Sequence, residues 1–164
     1  MKSFARALAI GAAGLALAAP ALSQRTDDQI LPRSAELQKQ ARQAVAAGKL
    51  EQAEDLLETA LAVDPRNRGA FVDIARVAEK QHLFGKAIRM TNKALALEPN
   101  DPDAIAVQGE AMVELGAVPR ARDNLAKLQK LCPSGCQQLA MLSAAISRGP
   151  TVAAAKPVQI PKSN

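Results

Sequence analysis

Three prolines, Pro65, Pro99 and Pro133, stand 34 residues apart, and so do Ala53, Ala87 and Ala121. A third series at the same step, Ala60, Ala94 and Leu128, follows the alanines by seven residues. A constant period of this length marks one supersecondary unit repeated along the chain, a unit too small to bury its apolar face unless it stacks on a copy of itself. The blocks delimited by the prolines are 34–67, 68–101 and 102–135.

Within each block the apolar residues fall at helical spacing, twice. Ser34 is a candidate N-cap for a helix over 35–47 carrying Leu37, Ala41, Ala44 and Val45 on one face. Gly48 ends it. A partner helix over 51–62 turns Leu56, Leu57, Ala60 and Leu61 inward and Glu51, Glu54, Asp55 and Glu58 outward. In the second block Asn67 caps a helix over 68–81 with Phe71, Ile74, Ala75 and Ala78 inward, and Gly85 opens another to Leu97. The third opens with Asp101-Pro102, a cap followed by a proline at the first helical position, and places helices to Leu115 and from Pro119 to Leu131. An amphipathic segment over 136–148 (Leu139, Leu142, Ile146) covers the open end of the array, and 149–164, with three prolines and two lysines, reads as a disordered basic tail.

This spacing resembles the tetratricopeptide repeat (TPR). The small residues of the family's helix B are present in every block, as is its closing proline, and the third block adds the helix A glycine at Gly109 and a turn glycine at Gly116. The aromatic positions of helix A hold Leu37, Phe71 and Ile105, of which Phe71 alone is aromatic. The resemblance implies an all-α fold: a TPR helix-turn-helix solenoid of three repeats with a C-terminal capping helix. It also implies a concave wall built from the first helix of each pair. The family's groove positions fall on Gln38, Arg42 and Val45, on Val72, Arg76 and Glu79, and on Ala106, Glu110 and Val113. Arg42, Arg76 and Glu110 share one register, and valines beside two arginines suit an extended peptide with an acidic group. The carboxylate clamp of the chaperone-binding members maps to Gln38, Arg42, Asp73, Asp103 and Val107. Two acids stand there where cations are needed, so a heat-shock-protein tail is not the expected ligand.

At the amino terminus, Lys2 and Arg6 precede an apolar run over 7–19, and Pro20 with Ala21-Leu22-Ser23 supplies a small-residue exit. Charged start, short apolar middle and small exit describe a secretory signal over 1–23, cleaved after Ser23. Its apolar run is too short to cross a hydrocarbon core as an anchor. The expected product begins near Gln24 with a short lead-in over 24–33, is periplasmic or secreted, and has no stable membrane insertion once the signal is cleaved. Without the signal 19 basic residues face 16 acidic ones, a net of +3. That balance, with no Trp, no Tyr and three Phe, argues against nucleic acid as a partner.

Cys132 and Cys136 flank Pro133-Ser134-Gly135 at the corner before the capping segment. In an oxidising compartment a disulfide clamp is the expectation, worth about 2 kcal/mol for so short a loop. A redox-active pair is the alternative, although the spacing is not Cys-x-x-Cys. A metal site is a third reading, for which only His82 could add a nitrogen to the thiolates. No catalytic residue and no cofactor site emerge: one histidine in a turn offers no imidazole triad, and no strand precedes a glycine-rich phosphate loop. The expected role is a non-enzymatic interaction module for an unidentified envelope protein or peptide. The alternative is a structural homo-oligomer stacking end to end.

Overall fold

The computed structural model describes residues 29–151, so the expected signal segment 1–23 and most of the tail lie outside the described residues. Among the described residues seven helices follow in order: α1 Pro32–Ala46, α2 Leu50–Val63, α3 Arg68–Lys80, α4 Phe84–Leu97, α5 Pro102–Glu114, α6 Val118–Leu131 and α7 Gln137–Arg148. Each pairs with its chain neighbour, and α1, α3, α5 and α7 also touch one another in succession. The backbones of α2 and α4, and of α4 and α6, approach one another less closely, and α2 reaches α4 through the Glu54–Lys86 ion pair. Packing the first helices of the pairs side by side while the second helices splay is what bends the pile, with α1, α3, α5 and α7 on the inner wall.

Methyl-sized side chains make this packing possible. Ala53, Ala87 and Ala121 are fully buried, as are Ala60, Ala94 and Leu128. The core is correspondingly serial, in three clusters that each join one helix pair to the first helix of the next. Leu57, Ile105, Leu128 and Leu142 are its largest fully buried apolar side chains, each worth about 1.5–3 kcal/mol of burial.

The turns inside the repeats obey the same step. Gly48, His82 and Gly116 stand 34 apart and all adopt left-handed φ, at 74°, 60° and 76°. Each lets the next amide return to the preceding helix: Lys49 N to Ala44 O, Leu83 N to Ala78 O and Ala117 N to Met112 O, at 2.7–2.9 Å. His82 is thus a side-chain-bearing residue in a glycine position, and its ring lies edge-on to Phe84 with centroids 5.9 Å apart.

Capping follows the sequence at two of three places. Asn67 and Asp101 accept from the amides of Ala70 and Ala104. Ser34 does not cap, because α1 starts two residues earlier at Pro32. Instead its buried hydroxyl donates to Ala60 O at 2.7 Å and accepts from Asn67 Nδ2 at 2.9 Å. The residue therefore ties the start of α1 to the end of α2 and the start of α3.

The Cys132–Cys136 bridge joins the C-cap of α6 to the N-cap of α7, with α-carbons 5.8 Å apart. Beyond it, α7 packs on α5 as α5 packs on α3. The capping helix therefore occupies the place of a fourth first helix. Leu139 stands one repeat step after Ile105, a signal for this that the proline series does not carry.

Candidate functional site

The inner wall formed by α1, α3, α5 and α7 carries a continuous polar ladder. Gln38 Nε2 and Arg42 Nε both donate to Asp73 Oδ2 at 2.7 Å. Arg76 then bridges inward from the next rung: its Nη1 lies 3.4 Å from Asp73 Oδ1 and its Nη2 2.6 Å from Asp103 Oδ1. Gln138 of α7 donates to the same Asp103 oxygen at 3.2 Å. Each helix of the wall thus holds the next through one acid. The register that aligned Arg42 with Arg76 is realised, but both guanidinium groups already carry carboxylates of the chain itself.

Of the nine groove positions expected from the resemblance, Val72, Ala106 and Val113 are buried to within 2 % of full coverage and are part of the packed interior. The physical reason is position in the pile. Helices α3 and α5 have neighbours on both flanks, whereas α1 has one, so Val45 stays half-exposed while the inner valines are covered. Gln38, Arg42, Val45, Arg76, Glu79 and Glu110 remain within reach of the open face.

Two cavities open on this wall. The first, about 230 Å³, lies between α1 and α3 over Ala41, Val45 and Leu57, with Arg42, Asp73, Arg76 and Lys80 at its rim. The second, about 190 Å³, is lined by Glu79, His82, Phe84, Glu110, Glu114, Arg148 and Thr151. Glu114 is well supplied there, since the Thr151 amide and hydroxyl both donate to its Oε2 at 2.8 Å and Arg148 Nη2 lies 4.0 Å from Oε1. Glu110 is not: its Oε1 is shut off from solvent and accepts no hydrogen bond.

Burial, and then the neighbouring Glu110 carboxylate, push Glu79 up from an ordinary 4.5 to about 8; Glu114 of α5 adds to the rise, while Arg76 and Lys80 of its own helix oppose it. Burial raises Glu110 as well, against Arg76 and Arg148. The folded protein holds the Glu79 proton up to about pH 8, whereas an unfolded glutamate loses it near 4.5. The contribution to stability is thus complete below pH 4.5 and is lost as pH rises to 8. Glu79→Gln is expected to leave the melting temperature at pH 4.5 unchanged and to raise it by several degrees relative to the wild type at pH 8.5. Thermal melts across that range check this, and a pH-independent difference would contradict it.

Among the described residues no cluster of three potential metal ligands occurs, and no helix is long and apolar enough to cross a membrane.

A curved pile of antiparallel helix pairs, stacked neighbour on neighbour at a 34-residue step with its first helices inward, is a tetratricopeptide solenoid. Residues 44–110 match the family model for the tetratricopeptide repeat. No curated protein matches it in sequence. Its fold is similar to the Sgt2 TPR domain of Aspergillus fumigatus (TM-score 0.66, 20% identity, 72% of this chain and 79% of that one). It is also similar to the first TPR of Spaghetti bound to an HSP90 peptide (0.63, 21%, 70% and 96%). A third similar structure is the second TPR domain of human RPAP3 in complex with an HSP70 peptide (0.62, 21%, 69% and 94%). At these identities the likeness is one of fold.

Proposed function

We propose that this protein is an exported, non-enzymatic interaction module that holds an extended segment of an envelope protein against its concave wall. The α1/α3 cavity carries the reading. It has an apolar floor of Ala41, Val45 and Leu57 and a charged rim, and it opens on the inner wall of a fold whose similar structures include two peptide complexes. A side chain of leucine or valine size would desolvate there while the rim orients the backbone beside it. The segment over 1–23 supports delivery across the cytoplasmic membrane, and the Cys132–Cys136 clamp suits an oxidising compartment.

The ligands of the two peptide-bound structures do not transfer. Asp73 and Asp103 stand at clamp positions that need cations, and they occupy Arg42 and Arg76. Replacing both arginines with glutamate would break the ladder, so Val45→Arg is the cleaner test: it plugs the cavity from a half-exposed position. The variant is expected to keep wild-type helicity and lose the partner bands that wild-type protein yields on crosslinking in the native envelope fraction. Identical bands from both proteins would remove the groove from the account.

A further inference from the structure

The two cavities of the concave wall differ in the groups that line them. Three cations, Arg42, Arg76 and Lys80, and one acid, Asp73, stand at the rim of the α1/α3 cavity. Three carboxyl groups, of Glu79, Glu110 and Glu114, line the second cavity with one cation, Arg148. The cations that could compensate these carboxylates are largely engaged. Arg76 is divided between Asp73 and Asp103, and Arg148 stands beside Glu114. Glu79 and Glu110 are left as a partly desolvated pair, and the buried Glu110 Oε1 has no donor. Phe84, at the same cavity, adds an aromatic ring of the kind that favours a cation.

Resting on the peptide-groove reading above, we infer that the occupant is a segment of a partner protein bearing an apolar side chain for the first cavity and a lysine or arginine for the second. Adjacent packed helices lie about 8–10 Å apart, and an extended chain advances about 3.3 Å per residue. The basic residue therefore falls about three positions from the apolar one. The ammonium or guanidinium group enters beside the Glu79 and Glu110 carboxyls that line the cavity, and its charge drives the Glu79 proton off to solvent. An acidic residue at that position adds a fourth carboxyl to a partly desolvated cluster and is rejected.

Selection of a phage-displayed random octapeptide library on the full chain tests this, with the Val45→Arg protein as the counter-selection. The expected outcome is enrichment of peptides with an apolar residue and a Lys or Arg about three positions away. Changing that basic residue to alanine in a synthetic copy weakens binding about tenfold. On the Glu79→Gln/Glu110→Gln protein the same peptides keep the apolar preference and lose the basic one. Apolar enrichment with no charge preference, or with an acidic one, overturns the inference while the groove reading stands. No enrichment over Val45→Arg overturns both. Peptides reproducing the chain's own Lys156-Pro157 or Pro161-Lys162 context would make the occupant this chain's residues 152–164, and the partner segment would be wrong.

Discussion

Leu142→Ala is expected to cost about 2–5 kcal/mol and to release the C-terminal end of the pile before the rest. Leu142 is fully buried, and its methyls lie directly on the backbone of α5: a β-carbon built on Gly109 would come within 2.6 and 2.7 Å of them. Truncation leaves a cavity that α5 and α7 cannot close, because their approach is already set by the missing side chain at 109. Among the described helices α7 touches only α5 and α6, so few other contacts hold it. Against a typical total of about 5–15 kcal/mol, the melting temperature falls by roughly ten degrees or more. Amide exchange accelerates first over 137–148. The reciprocal change, Gly109→Ala, overpacks the same spot and costs about 1–3 kcal/mol. Combined, the two changes cost less than their sum, since the new methyl enters the space that Leu142 vacates. Strict additivity in urea denaturation would refute this contact as the basis of docking.

Asn67→Ala has the second-largest expected effect, about 2–4 kcal/mol. One amide serves three helices there: Asn67 Oδ1 accepts from Ala70 N at 3.0 Å, and Nδ2 donates to the buried Ser34 hydroxyl, which itself reaches Ala60 O. Alanine removes the cap of α3 and strands polar groups in a dry corner. Asn67→Asp keeps the cap but loses the donated bond, and is expected to fall between. The equivalent Asp101 caps Ala104 N but turns its other oxygen to Arg68, 2.6 Å away, whose side chain is 46% exposed. Water can replace that partner, so Asp101→Ala should cost less than Asn67→Ala. Equal losses at the two positions in urea denaturation would show that the link to Ser34 is of no consequence.

The helices were legible because their spacing follows from local chemistry. Alanines at one helical position per block, caps at Asn67 and Asp101 and turn glycines at 48 and 116 all act within a few residues of themselves. His82 was placed in its turn but not in the left-handed conformation, since histidine gives no hint that it stands where the other repeats have glycine. Ser34 was misread because capping depends on where a helix starts, and Pro32 moved that start.

The wall divides along the same line. The groove positions implied by the family resemblance put Arg42, Arg76, Glu79 and Glu110 on the inner side, and the 34-residue step returns each such side chain to the same face. The resemblance also put Val72, Ala106 and Val113 there, without showing that a second flanking helix covers them. Repetition along the chain thus determined the class of fold and the direction each helix faces. Only the assembled pile decided which side chains stay open, which acids take the arginines, and that Glu79 and Glu110 share one half-buried corner. Those outcomes depend on desolvation and on contacts between residues some thirty positions apart, and they arise only when successive helices meet.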